Sequence, residues 1–171
     1  SPESLIYSKG KVLFGLHLAK NEIVKQDECF LVEGNMDVVM MSQNAVTNVV
    51  ATSGTALTED QIRLIKRYTK NVTLLYDGDS AGIKATFKAV NLLLEQGLHV
   101  KTLLFPDNED PDSFARKHTQ DEFKSFIKSN AENFILYKTN LLLADAKGDP
   151  IKRADLTRNI VETIALIPDL L

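Results

Sequence analysis

An α/β fold with a central, mainly parallel four-stranded sheet and helices on both faces is what this sequence predicts. Four short apolar runs, at 29–32, 48–51, 72–76 and 100–105, alternate with segments of helical periodicity. Such alternation gives βα units, and right-handed crossovers place helices over both faces of the resulting sheet. Beyond Ser113 no further strand is expected, and the chain continues as a C-terminal helical segment.

The elements follow in order. Val12, Leu16, Ala19 and Ile23 recur at helical spacing, with Ser8 as the expected N-cap. The run Cys29-Phe30-Leu31-Val32 is stopped by Glu33-Gly34, and a helix through Val38 to Met41 comes next. After the second run, Ser53-Gly54-Thr55 breaks the pattern, and Thr58-Glu59-Asp60-Gln61 reads as a capping box opening a helix with Ile62, Ile65 and Tyr68. The third run ends at Asp77-Gly78-Asp79. Ile83, Phe87, Val90 and Leu94 then form one apolar stripe that Gly97 closes. The fourth run ends at Pro106. Thr119-Gln120-Asp121-Glu122 is a second capping box, ahead of Phe123, Phe126 and Ile127. Phe134, Tyr137 and Leu141 mark another helix, Lys147-Gly148-Asp149-Pro150 a turn, and Leu156, Ile160, Ile164 and Ile167 the last helix.

Composition narrows the function. The chain has 171 residues, 20 Lys+Arg against 23 Asp+Glu, and a formal charge of −3. It has the profile of an ordinary folded soluble domain. No apolar run approaches the ~20 residues of a membrane span, so no membrane association and a cytoplasmic location are expected. The one cysteine, Cys29, excludes a disulfide framework, and with three scattered histidines it excludes a zinc ribbon. Net acidity argues against a self-sufficient nucleic-acid binder.

The position of the acids is more informative than their number. Glu33 follows the first strand, Asp77 and Asp79 the third, Asp110 and Asp112 the fourth. Ligands of open parallel sheets bind outside the carboxyl ends of the strands at the switch in strand order. An order 2-1-3-4 sets the first and third strands side by side and Glu33 next to Asp77 and Asp79. Each motif alone has a plainer reading. Asp77-Gly78-Asp79 can be a turn that caps a helix, Glu109-Asp110-Pro111-Asp112 a surface loop with proline at a helix start, and Glu33-Gly34 a strand-to-helix turn with Asp37 in the first helical turn. Together, on one sheet edge, they point to a divalent-metal site that handles phosphates, because gathered carboxylates repel unless a cation neutralises them. Hard oxygen donors favour magnesium or manganese over zinc.

Glu33-Gly34-Asn35-Met36-Asp37-Val38-Val39, Ser53-Gly54-Thr55-Ala56-Leu57-Thr58, Tyr76-Asp77-Gly78-Asp79-Ser80-Ala81-Gly82 and Glu109-Asp110-Pro111-Asp112 together resemble the TOPRIM domain of bacterial DnaG-type DNA primases. Ser1-Pro2-Glu3 and Ser8-Lys9-Gly10-Lys11 resemble the stretch just before that domain. The resemblance covers Ser1 to about Asn130, and implies a lead-in helix region at 1–27, a TOPRIM domain at 28–130 and the start of a helical subdomain at 131–171. It implies magnesium- or manganese-dependent nucleotidyl transfer that makes short RNA primers from ribonucleoside triphosphates on a single-stranded DNA template, in a bacterial cytoplasm. By the same resemblance Glu33 matches the catalytic acid. Asp77, Asp79 and Asp112 match metal-binding acids, with Asp110 in that cluster, and Lys9 matches a basic residue that contacts template or nucleotide. Gly34, Asp37, Gly54 and Gly78 support the motif turns. The family usually carries Tyr where Asn35 stands, and Thr52 and Ser53 also depart from its commonest wording. A complete protein of this kind would add an N-terminal zinc module, a basic subdomain and a C-terminal helicase-binding domain. The chain is therefore expected to be a fragment without zinc, reaching the replicative helicase only through regions it lacks, and weakly active or inactive alone.

Among other residues, Lys84 and Lys88, one turn apart behind Asp79, are candidates for phosphate contact. Arg63, Lys66, Arg67 and Lys70 read better as a solvated face than as a template strip. Ser53-Gly54-Thr55 could offer amides to phosphate or be an ordinary tight loop. His17, His99 and His118 have no ligand spacing, and Cys29 reads as an inert core thiol. Three other functions fit the sequence less well. A topoisomerase or nuclease TOPRIM domain lacks an identifiable catalytic Tyr beside the motif, a non-catalytic module would gain nothing from clustered acids, and a phospho-receiver would want paired acids near the first strand.

Overall fold

The structure, a computed structural model, describes residues 8–76, 80–106, 109–146 and 149–168, with the backbone alone at 76, 80–85 and 145. The expected alternation is present. A 3-10 turn at Lys9–Lys11 leads to α1 (Leu16–Gln26), β1 (Cys29–Val32), α2 (Asn35–Gln43), β2 (Val49–Ala51), α3 (Glu59–Lys66), β3 (Asn71–Tyr76), α4 (Ser80–Glu95) and β4 (His99–Leu104). Then come α5 (Pro111–Lys117), α6 (Gln120–Asn130), a two-residue β5 (Glu132–Asn133), α7 (Phe134–Asp145) and α8 (Pro150–Ala165).

The sheet order is β2-β1-β3-β4-β5. The first four strands are parallel, in the order the sequence predicts, with Phe30 opposite Val49, Leu31 opposite Leu74 and Val72 opposite Val100. Successive residues of each strand point to opposite faces, and both faces are covered by helices, so apolar residues recur on neighbouring positions. Leu31, Val50, Leu74 and Val100 enter a core with Ile23 of α1, Ile62 and Ile65 of α3, and Val90 and Leu93 of α4. Phe30, Val32, Val49, Leu75 and Leu103 face the other way, onto Val38 and Met41 of α2, Phe114 of α5, and Phe123 and Ile127 of α6. Each of these side chains, fully buried, contributes ~1.5–3 kcal/mol of transfer free energy.

Two expectations are corrected. Ser8 does not cap α1: its carbonyl accepts from Lys11 N–H within the 3-10 turn, and its side chain makes no capping bond. The helix starts at Leu16, behind Gly15 at φ +82°. Val12 lies outside it, because Phe14 first exchanges two backbone hydrogen bonds with Ala51, at 2.9 and 3.1 Å, along the free edge of β2. Gly15 is required there. A Cβ at that position would lie 3.0 Å from Val38 Cγ1 and 3.3 Å from the Val49 carbonyl, in a left-handed backbone. The second correction is β5, which pairs antiparallel with β4 through Lys101–Asn133 and Thr102–Glu132. Strands therefore do not stop at Ser113. Two exposed polar residues carry no periodic signal, and their pairing is set by Phe134, buried against the α4 side of the sheet just beyond them.

Both capping boxes form. Thr58 accepts from Gln61 N–H at 3.2 Å while Gln61 Oε1 accepts from Thr58 N–H at 3.1 Å. Thr119 and Glu122 make the same reciprocal pair. Gly97, at φ +72°, closes α4. No described helix is long and apolar enough to cross a membrane.

Candidate active site at the carboxyl ends of the strands

β1 and β3 are hydrogen-bonded neighbours, so the segments leaving them start side by side. Glu33 is the first residue after β1 and is exposed at that edge. Its backbone is held from two sides. Gly34 N–H donates to Asp37 Oδ2 at 3.0 Å, tying the turn to the first turn of α2, and Gly54 N–H donates to the Glu33 carbonyl at 3.2 Å. Gly54 thereby joins the loop after β2 to the end of β1, with Ser53 at φ +63° and Gly54 at φ +73°. In this structure that amide serves the loop. Ser53 Oγ also donates to Asn35 Oδ1 at 2.8 Å, a second tie between the two segments.

Beside these ties lies a cleft of about 340 Å³. Glu33, Thr52, Gly54 and Thr55 line one side, and Lys88, Ala89 and Leu92 of α4 the other. Glu33 and Lys88, far apart in sequence, thus share one concavity holding a carboxylate and an ammonium over apolar walls. Asp77, Gly78 and Asp79 lie outside the described residues, as does the side chain of Lys84.

The acids after β4 are arranged differently. Asp110 is the N-cap of α5: its Oδ1 accepts from Ser113 N–H at 2.6 Å, and Ser113 Oγ accepts from Asp110 N–H at 2.9 Å. That amide bond, chiefly, holds the Asp110 carboxyl below its ordinary pKa. Asp112 is gripped by Arg116, with Nε to Oδ1 at 3.1 Å and an η nitrogen to Oδ2 at 3.0 Å. Glu109 pairs with Lys117. Among the described residues no three of His, Cys, Asp and Glu come together as a metal cluster.

Lys9 sits on the 3-10 turn, which α3 anchors. Thr58 Oγ1 donates to the Gly10 carbonyl at 2.5 Å, and Gln61 Nε2 donates to the carbonyls of Lys9 and Val12 at 3.0 and 2.9 Å. The α3 cations form the solvated face expected of them: Arg63 pairs with Glu59 and Asp60, and Lys66 donates to the Gln96 carbonyl. His99 Nδ1 lies 3.0 Å from Asn71 Oδ1. His118 stacks on Phe114 at 3.9 Å and donates Nδ1–H to its carbonyl, which can only accept. Cys29 is buried, and desolvation pushes its thiol pKa far up. The Asn35–Ser53 bond and the part of Leu92 in the cleft were missed by sequence reasoning. The departure of both Asn35 and Ser53 from the family wording was the available signal.

A parallel sheet ordered 2-1-3-4, with an acid at its switch point and a lysine across the cleft, is an α/β arrangement of the TOPRIM type. The chain belongs to the Toprim-like family, which its residues 30–115 match. Within that family it is similar to DNA primases. It is 42% identical over 142 residues to the DNA primase of Staphylococcus aureus, an overlap of 83% of this chain and 24% of the relative. Its fold superposes on the crystal structure of a DNA primase domain from Pseudomonas aeruginosa with a TM-score of 0.86 and 33% identity, over 98% of this chain and 54% of that one. It superposes on a DnaG primase catalytic domain bound to single-stranded DNA with a TM-score of 0.85 and 32% identity, over 99% and 56%. The chain spans about a quarter of the length of the curated relatives it matches.

Proposed function

We propose that this chain is the metal-dependent nucleotidyl-transfer core of a DNA primase, which makes short RNA primers on single-stranded DNA. The observation that carries this reading is the adjacency of β1 and β3, since the acid that follows β1 and the Asp77-Gly78-Asp79 segment that follows β3 leave the sheet from neighbouring strand ends. In this reading residues 28–130 are the TOPRIM domain, 1–27 its lead-in and 131–171 the start of a helical subdomain.

The donor chemistry suits magnesium or manganese, since the candidate ligands are carboxylates. Glu33, Asp77 and Asp79 are the primary holders. Asp110 and Asp112 are weaker candidates, because Ser113 and Arg116 already occupy them. A bound divalent ion would supply charge neutralisation on the triphosphate and on the attacking and leaving oxygens. Lys88, with Lys84 one turn earlier in the sequence, would contact phosphate oxygens, and Lys9 template or nucleotide. The ties on Gly34 and Gly54 hold the Glu33 backbone fixed, so its carboxylate acts from a preorganised strand end. Ribonucleoside triphosphates and a single-stranded DNA template are the proposed partners; a helicase would be met through other regions, and the expected setting is the bacterial cytoplasm.

The test is a chimera in which this chain replaces the matching segment of the Staphylococcus aureus primase. It is expected to make primers on single-stranded DNA with magnesium or manganese, and Glu33→Gln in the chimera is expected to reduce synthesis at least ~100-fold, within the range for loss of one electrostatic group in an active site. Priming by the Glu33→Gln chimera at the parent rate would overturn the assignment.

A further inference from the structure

A second concavity lies at the opposite end of the sheet, where β1 and β2 begin. It measures about 540 Å³, larger than the cleft at Glu33. Its walls are Phe30, Val46 and Ile127, and its rim carries Lys101 from β4 with Lys124 and Lys128 from α6. Three ammonium groups from two separate elements therefore border one hollow. Glu28 is the acid in its lining, and it is already engaged: its Oε1 accepts from Thr73 Oγ1 at 2.7 Å and lies 3.7 Å from Lys101 Nζ. Lys124 and Lys128 have no ion-pair partner among the described residues.

We infer that this hollow is a binding site for a small anion carrying two or more phosphate groups, separate from the nucleotidyl-transfer cleft. Lys124 and Lys128 stand one helical turn apart, which puts their Cβ atoms ~5–6 Å from each other and lets both ammonium groups reach adjacent phosphates. Lys101 approaches the same space from the sheet. Each ammonium is a compact charge with three donors, suited to phosphate oxygens. A bound polyanion relieves the mutual repulsion of the three cations. Net negative charge on the whole chain makes this local excess of cations the more distinct.

Inorganic tripolyphosphate is titrated into the 171-residue chain without divalent metal, with amide NMR shifts and calorimetry as readouts. Binding is expected, with shifts grouped at Glu28, Asn48, Lys101 and Ile127. Lys124→Gln with Lys128→Gln is expected to weaken it at least tenfold, whereas Lys66→Gln with Lys70→Gln removes the same charge elsewhere and leaves it unchanged. All four lysines are exposed, and a thermal melt of each variant checks that the fold is kept. ATP forms a second arm. Tighter binding than tripolyphosphate assigns the apolar walls to a nucleoside, and equal binding assigns an inorganic polyanion. No binding, shifts scattered over the whole surface, or equal weakening by both lysine pairs would overturn the site. Priming is not measured, so this outcome is independent of the proposed reaction.

Discussion

Asp110 shows how one carboxylate can carry a structural and a chemical assignment that experiment separates. Its Oδ1 takes the Ser113 amide at 2.6 Å, and this bond lowers its pKa. A depressed acid contributes stability above its unfolded pKa, ~3.9, and loses that contribution as pH falls through the lower folded value. Asp110→Ala is therefore expected to cost ~1 kcal/mol near neutral pH, the usual value of an N-cap, with the difference shrinking below about pH 4. Asp110→Asn keeps a good cap and should change stability by no more than ~0.5 kcal/mol at either pH. Urea unfolding at pH 7 and pH 3 measures both. A large, pH-independent loss in the Asn variant would mean that the charge has another role in the fold. The sequence showed the acid and the proline after it, but a cap and a ligand use the same residue types. Only the 2.6 Å contact tells them apart. Glu33 stands, as the strand pattern predicts, just beyond a parallel strand's carboxyl end, in a turn that Gly34 and Asp37 close, and its proposed role rests on the chimera test.

At the scale of elements, what was legible depended on whether the signal was local. The capping boxes at Thr58 and Thr119, the α4 stripe at Phe87, Val90 and Leu94, and the four parallel strands all follow from residues within one element, and all formed. The start of α1 and the existence of β5 depend on distant contacts, Phe14 with Ala51 and Phe134 with the sheet, and no window along the chain contains them. Gln61 combines both kinds. It completes the Thr58 box locally, and from a fully buried position its amide also donates to the carbonyls of Lys9 and Val12. Gln61→Leu keeps the volume but takes the side-chain donor from the Val12 carbonyl and one of two donors from the Lys9 carbonyl, which keeps the Val12 N–H. It is expected to destabilise by ~1–2 kcal/mol, from the lost hydrogen bonds and half of a cap. Limited proteolysis should then cut the Lys9–Lys11 segment faster than global unfolding allows, because α3 is what pins it. Equal protection of that segment in both proteins would show that Thr58 alone suffices.

Across the whole molecule, the sheet order brings together strand ends that chain distance separates, and the cost of doing so falls on the acids. If Glu33, which follows β1, and Asp77 and Asp79, which follow its neighbour β3, hold the proposed ion, their like charges are expected to repel one another in its absence. A divalent ion would then reverse the sign of that interaction and bind the folded chain preferentially. The fold then gains RT ln(1 + [L]/Kd), ~1.4 kcal/mol when metal is tenfold above Kd. Asp77→Asn and Asp79→Asn each remove one repelling charge, so without metal both variants should be as stable as the parent or more so. With manganese, the parent should melt higher by a few degrees, consistent with ~1 kcal/mol in a domain of this size, and the variants should gain less. If these acids only shape a turn, Asp79→Asn is close to neutral and metal shifts nothing. Thermal melts of the three proteins with and without manganese separate the two cases, and an equal rise in all three would remove the metal site from this Asp pair.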